Sequence, residues 1–333
     1  MKLLRRLILG LLAGALVGAG PAQPLEGIPR YAHIIMIVEE NKAAMTIIGK
    51  RIAPRITALA KAYGTASTMY GEVHPSEGNY VAMIAGNTFG IHDDAVHHFE
   101  HPSLPDQLHT VGLDWRGYFG SLPEAGSTVV ASPANATEPA ALYASKHNPF
   151  VNFDGLRTAP DFAKHTVGLE RFGADLQADT VPAFAFVVPN QCDEMHGLSA
   201  TALNVPADCS GPAVITRGDR ITGELVDRIM ASPLWRASSN TAIVITFDED
   251  DKSTVGDQGC CGYEPNADSN FGGGRIPTVV ITNHGPRGVV DPTPYNHYSL
   301  LRTLEDAFAI PQYLELAGAT DRGVRPMKAL FAK

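Results

Sequence analysis

The chain lacks a Cys-x-x-Cys pair, lacks any sustained basic run, and past its first residues lacks an apolar segment long enough to cross a bilayer. The first absence argues against a structural zinc site. The second, together with a formal net charge of −9, makes a nucleic-acid binder a poor reading, since nothing would track phosphates. The third leaves no membrane span in the body of the protein. Internal repeats and low-complexity tracts are missing too. Cysteine is scarce, with four residues, Cys192, Cys209, Cys260 and Cys261. In an exported protein Cys192 and Cys209 could close a short loop, while the adjacent Cys260 and Cys261 could bridge each other, pair elsewhere or stay reduced.

What is present begins with a targeting signal. Lys2, Arg5 and Arg6 precede an apolar run from Leu7 to Val17, and small residues follow through Ala22. That succession reads as a secretory signal peptide over residues 1–22. A membrane anchor is the weaker reading because the run is short, and no cysteine near the cleavage site suggests a lipoprotein. Cleavage after Ala22 removes three positive charges and moves the net charge to −12. A periplasmic or secreted protein is expected.

The remainder of the 333 residues, 44% of the whole chain being hydrophobic, can bury a sizeable core. Candidate strands are His33–Val38, Ser67–Val73, Ala183–Val188, Ala242–Phe247 and Pro277–Thr282. Helical stretches lie among them, including Arg55–Tyr63, Arg217–Met230 and Ser299–Phe308. Strands alternating with helices predict an α/β fold, a doubly wound and mostly parallel sheet with helices on both faces. No break reads as an interdomain linker, so residues 23–333 are taken as one domain. Residues from about 90 to 148, irregular and rich in histidine, read as an insertion over the strand ends.

The stretch from Thr241 to Asp251 carries most of the chemistry. A strand-forming apolar run ends abruptly in Asp248, Glu249, Asp250 and Asp251. The carboxyl ends of parallel strands are where α/β sheets hold ligands, and four adjacent carboxylates repel unless a cation gathers them. A solvated acidic loop is the plain alternative. Other strands end similarly: Glu39, Glu40 and Asn41 follow the first, Asn190 through His196 follow Ala183–Val188, and Asn283 and His284 follow Pro277–Thr282.

Between the second strand and a helical stretch lies His74-Pro75-Ser76-Glu77-Gly78-Asn79-Tyr80. Ser76 stands just before a helix from Asn79 to Ala85, where free amides and the helix dipole favour an anionic phosphoryl group. A nearby metal could make its hydroxyl a nucleophile; an ordinary Ser helix cap is the alternative.

Several blocks taken together resemble the bacterial phosphoesterase family, which holds acid phosphatases and phosphatidylcholine-type phospholipases C on an alkaline-phosphatase-like fold. They are Ile34 to Lys42 with Ile48-Gly49, His74-Pro75-Ser76 with Asn79-Tyr80, and Lys146-His147-Asn148-Pro149-Phe150. Val188-Pro189-Asn190 leading to Glu194-Met195-His196, Thr246-Phe247-Asp248-Glu249 and Arg275-Ile276-Pro277 continue the series. It closes with His284-Gly285-Pro286 and Asn296 to Arg302. The resemblance implies that Glu40, Asn41, Asp248 and Glu249, with Ser76, bind a divalent metal ion, and that Ser76 is the nucleophile. It implies catalytic roles for His196 and His297, and contacts to a phosphate-ester substrate from Asn79, His147 and Asn190. Oxygen-rich ligands suit Ca, Mg or Mn, and Zn accepts such sets as well. Glu77-Gly78 departs from the Leu-Pro usual in the acid phosphatases, which bears on the substrate class more than on the fold.

The expected function is therefore a secreted metal-dependent phosphoesterase hydrolysing phosphate monoesters through a serine. The alternatives are a phospholipase C or other phosphodiesterase on the same scaffold, and a catalytically silent phosphate- or metal-binding protein. A serine hydrolase of carboxyl esters ranks last, because no Gly-x-Ser-x-Gly elbow surrounds Ser76.

Overall fold

The computed structural model describes residues 26–133, 136, 140–199, 206–251, 259–262 and 272–332. The expected signal peptide lies outside them. Within them the strands are β1 His33–Glu39, β2 Gly64–Ala66, β3 Met69–Tyr70, β4 Trp115–Phe119, β5 Ala131–Ser132, β6 Tyr143–Ala144, β7 Thr166–Gly168, β8 Phe184–Val188, β9 Thr241–Phe247, β10 Arg275–Ile276, β11 Thr278–Thr282, β12 Val289–Asp291 and β13 Tyr295–Asn296. Eight of them form one sheet in the order β12-β2-β11-β9-β1-β8-β4-β7.

The centre of that sheet follows from sequence. β1 (HIIMIVE), β8 (FAFVV) and β9 (TAIVITF) are nearly continuous apolar runs, buried on both faces, which is the pattern of parallel strands covered by helices. β1 lies between the other two and pairs with both in parallel, Ile34 facing Phe184 and Ala242. Because Glu39 is in register with Phe247, the residues after these strands, Glu40 and Asp248, emerge side by side. The Asp248 amide donates to the Glu39 carbonyl at 3.2 Å.

Two groups of helices cover the sheet. The helices Pro54–Ala62, Glu170–Ala178 and Ala213–Ala231 pack together, and so do Glu77–Ala85, Leu104–Thr110 and His297–Ala307. The aromatic core beneath them includes Phe186, whose ring meets Tyr80, Phe119 and Phe150. Burying one such ring is worth about 1.5–3 kcal/mol.

Three expectations change. Of the single strand expected over Ser67–Val73 only the two-residue β3 forms, in a small sheet with β10 and β13, while the large sheet takes β2 just ahead of it. The segment from about 90 to 148 is irregular over much of its length, yet it also supplies a helix and β4, whose Trp115, Gly117, Tyr118 and Phe119 are buried in the main sheet. Finally, the sheet is mostly parallel as expected, but β11 runs antiparallel to its neighbours β9 and β2. Asn283 and His284 consequently emerge at the edge opposite Asp248, where Asn283 accepts from the Thr241 amide at 2.8 Å and His284 reaches the Ala237 carbonyl. They are turn residues, and only three strand ends converge.

Two glycines let the acidic tail of β9 lie against the small sheet. A Cβ at Gly71 would stand 2.6 Å from the Asp248 carbonyl oxygen. Gly274 holds φ at +74° with the Asp250 carboxyl where its Cβ would project, a place only glycine fills without strain.

Candidate active site

The convergence of β1, β8 and β9 brings Glu40, Glu194 and Asp248 to one edge of the sheet, all fully buried. Glu40 and Glu194 are tied through the backbone, the Glu40 amide donating to the Glu194 carbonyl at 2.8 Å. Asn41 takes a left-handed φ of +49°, which Asn tolerates better than most residues. That turn aims its amide at Asp248 Oδ1, 2.9 Å away, and its side-chain Nδ2 at Glu40 Oε2, 2.7 Å away.

Ser76 meets this group from the other side. It immediately precedes the helix Glu77–Ala85, but its own backbone is helical and its side chain makes no capping bond. The hydroxyl instead donates within 3.3 Å of Glu40 Oε2 and 3.5 Å of Glu249 Oε1. The cap reading of Ser76 therefore does not describe this serine. All nine residues of the helix behind it are buried, which fixes the hydroxyl against the carboxylates.

Imidazoles surround the carboxylates. His147 spans two of them, Nε2 being 3.1 Å from Glu40 Oε1 and Nδ1 2.9 Å from Glu194 Oε1. Its ring stacks on Tyr80, with centroids 5.1 Å apart. His74, which the motif contained without a role, lies 2.5 Å from Glu249 Oε2 and 3.4 Å from Asp250 Oδ1. His196 tilts against His147 at 5.7 Å between centroids, with Nδ1 on the Gly197 carbonyl at 2.8 Å and Nε2 3.5 Å from the Lys146 ammonium.

The electrostatics express the crowding. Burial, then the neighbouring Asp248 and Glu194, push Glu40 well above the usual carboxylate range. Burial likewise raises Asp248 and Glu194, and brings Glu249 to about 7 even though His74 pulls it down. Burial first, then Lys146, lowers His196 to about 4, and the same two causes depress His147. Buried carboxylates in this number disfavour ionisation unless positive charge joins them.

Three of the expected site residues are bonded to the backbone around the site. Asn79 is fully buried, and its Oδ1 accepts from the Glu72 and Val73 amides at 2.7 and 3.2 Å while Nδ2 donates to the Val73 carbonyl at 2.8 Å. These bonds make it a brace for the loop that carries Ser76. Asn190 accepts from the Cys192 and Asp193 amides at 3.0 and 3.2 Å and donates to Ser121, so it shapes the turn that delivers Glu194. His297 is fully buried, its Nε2 on the Phe247 carbonyl at 2.9 Å, and burial lowers it to about 4. It braces the strand end from which Asp248 departs.

Asp250 belongs to the acidic run read from sequence as a cation site, whereas His74, Lys146, Glu194 and Asp94 were given no role there. His74, Lys146 and Glu194 stand in the matching blocks, and their strand-end or loop placement was the available signal. Asp94 had none, since it sits in the His-rich segment. Histidines of that segment pair with carboxylates at the surface, His97 with Asp93 at 2.8 Å and His98 with Asp154, beyond the segment, at 3.1 Å.

Among the described residues no three His, Cys, Asp or Glu side chains are drawn together tightly enough to hold an ion as they stand. The donors nevertheless fit a hard divalent cation. Glu40, Asn41, Ser76, Asp248 and Glu249 offer oxygens from two strand ends and one loop, and buried Asp248 Oδ2 has no hydrogen-bond partner.

The fold is that of the alkaline phosphatase superfamily. A superfamily member from Vibrio parahaemolyticus superposes with a TM-score of 0.54 at 14% identity, over 85% of this chain and 67% of that one. The phosphonate monoester hydrolase of Silicibacter pomeroyi gives 0.51 at 11%, over 90% and 76%. The chain belongs to the Phosphoesterase family, whose model matches residues 32–311, and it is a hydrolase of phosphoric ester bonds. A phosphatidylinositol-3-phosphatase of Mycobacterium tuberculosis is 31% identical over 92% of this chain and 88% of its own length. A phosphate-repressible acid phosphatase of Penicillium chrysogenum is 26% identical over 78% of this chain. The chain spans about half the length of that fungal relative, 54%.

Proposed function

We propose that the protein is an exported, metal-dependent phosphomonoesterase that works through a phosphorylated Ser76. The observation that carries this reading is the Ser76 hydroxyl, turned away from the helix it precedes and held between Glu40 and Glu249. A carboxylate on either side can take the hydroxyl proton as the oxygen attacks phosphorus. The phosphorus–oxygen bond to the leaving alcohol breaks, the alcohol takes a proton, and water then releases phosphate from the serine. A divalent cation bound by Glu40, Asn41, Asp248, Glu249 and Ser76 would supply positive charge for the phosphoryl oxygens and lower the serine pKa. His147 keeps Glu40 in place, and His196, neutral above pH of about 4, stands ready to hydrogen-bond the substrate.

The monoester reading gains support from the relatives, which are named for removing phosphate from a phosphoinositide and as acid phosphatases. Export gains support from the bridges Cys192–Cys209 and Cys260–Cys261, as expected of an oxidising compartment. Intact Met1 on the protein recovered from the cytoplasm alone would refute export. The decisive experiment is hydrolysis of a phosphomonoester, a phosphodiester and a carboxyl ester by purified protein before and after chelation. Monoester turnover that chelation abolishes and added divalent metal restores is the expected result. Preference for the diester or the carboxyl ester would overturn the reading.

A further inference from the structure

A closed circuit of polar groups surrounds Ser76, and one member is a carboxylate placed where a substrate oxygen belongs. From Ser76 it passes through Glu40 to His147, then to His196 and to the Lys146 ammonium. Lys146 lies 3.3 Å from Asp94 Oδ2, and Asp94 Oδ1 accepts the backbone N–H of Glu77 at 3.2 Å. Glu77 directly follows Ser76, so the circuit returns to its origin. Asp94 thus binds at once the first amide of a nine-residue helix and a lysine that is only 5% exposed.

Those two donors are the ones an anionic oxygen on a phosphorus attacked by Ser76 would meet. A helix amide beside the nucleophile and a buried ammonium form a charge-assisted anion site, and the Asp94 carboxylate occupies it. Asp94 lies near enough to Glu249 and His196 to disfavour ionisation of the first and favour protonation of the second, which places its charge within the acidic centre and not outside it. It is itself 26% exposed, and it comes from the irregular segment after the helix, so it can leave without unpacking the core. Lys146 sits on a short 3-10 turn, Ser145–His147, all of it buried, and cannot follow.

We propose that Lys146 and the Glu77 amide bind a terminal oxygen of the phosphoryl group, that Asp94 is the resident anion the substrate displaces, and that this pair makes the enzyme selective for monoesters. A monoester presents three unesterified oxygens and a dianionic charge. Lys146 and the Glu77 amide would take one of them, and a cation held by the acidic centre would supply positive charge for the others. In a diester the oxygen facing Lys146 carries carbon, has little charge to offer the ammonium and collides with it. Glu77, the departure from the usual family residue, contributes its backbone here. Its side chain turns away to Asn152, so its carboxylate does not oppose the substrate.

The inference rests on the proposed phosphomonoesterase reading, and its test separates the two. Inorganic phosphate binding to the metal-loaded protein is measured by calorimetry, alongside kcat and KM for a matched monoester and diester, in Lys146→Met, Lys146→Arg and Asp94→Asn. Loss of one charge-assisted contact corresponds to about tenfold or more in affinity. Lys146→Met is expected to weaken phosphate and raise monoester KM by about that factor, with diester kcat/KM changed by less than about threefold, and Lys146→Arg should restore part of the loss. Asp94→Asn, which keeps the shape and removes the competing charge, should tighten phosphate several-fold. Equal losses on monoester and diester in Lys146→Met, or weaker phosphate binding in Asp94→Asn, would overturn the inference. Either result leaves the Ser76 reading standing, because that reading fails only if Ser76→Ala stays active.

Discussion

Ser76 Oγ lies 3.3 Å from Glu40 Oε2, joining the loop ahead of one helix to the carboxyl end of β1. The contact forms because Asn41 turns the chain immediately after Glu40, and because Asn79 pins the loop that carries Ser76. The proposed nucleophile and its acidic neighbours are thus set by two separate backbone devices, and each can be tested alone.

Replacing Ser76 by Ala should leave a folded protein that loses phosphatase turnover by several orders of magnitude. Removing a covalent nucleophile blocks the two-step route, and electrostatic stabilisation alone leaves about 10³–10⁴-fold of catalysis in comparable enzymes. Mass spectrometry of protein quenched during turnover should find phosphate on Ser76. Near-normal turnover in the variant would make a metal-bound water the nucleophile.

Divalent metal content should fall in Asp248→Ala and Glu40→Ala, each of which removes an oxygen donor from the buried group. Elemental analysis after dialysis is the check, with circular dichroism to establish folding. Full metal content in both folded variants would exclude these residues as ligands.

Asn79→Ala should destabilise the protein by about 2–4 kcal/mol, since the Glu72 and Val73 amides are left buried without an acceptor. Turnover should fall with it as the serine loop loosens, while KM changes little. Denaturant unfolding and steady-state kinetics together decide the matter. A raised KM at unchanged stability would return Asn79 to the substrate.

Stability should decline as pH rises from about 4.5 to 8 partly because of Glu305. Burial raises its pKa from the ordinary 4.5 to about 8, even though one oxygen accepts the Leu314 amide at 2.7 Å. Between those values the folded chain holds a proton that the unfolded chain has released, so each step up in pH favours unfolding; below about 4.5 both states hold it and the penalty vanishes. Glu305→Gln should therefore gain on the order of 4 kcal/mol at pH 8 and nothing at pH 4. Thermal melts at the two pH values measure it, and an equal effect at both would point to a cause other than ionisation.

The apolar runs of β1, β8 and β9 and the polar residues that end them were legible in the sequence, as was the Ser76 block. A strand buried on both faces must be apolar throughout, and polar residues can resume only where it leaves the sheet. Those facts are local, so composition and spacing reveal them. Strand direction is not local. The run before Asn283 reads like the run before Asp248, yet β11 is antiparallel to β9 and carries Asn283 to the other edge. Nor does spacing show that a particular asparagine spends its side chain on the backbone, as Asn79 and Asn190 do.

The sequence by itself determined which residue types gather at the end of the sheet, because burial and the need to satisfy backbone polar groups leave few alternatives. The tertiary structure decided which of them face one another: His74 on Glu249, His147 between Glu40 and Glu194, Asp94 across Lys146 and the Glu77 amide. Such pairings join residues up to about 175 positions apart in the chain. They arise only when helix and strand packing fixes distances that no local pattern encodes.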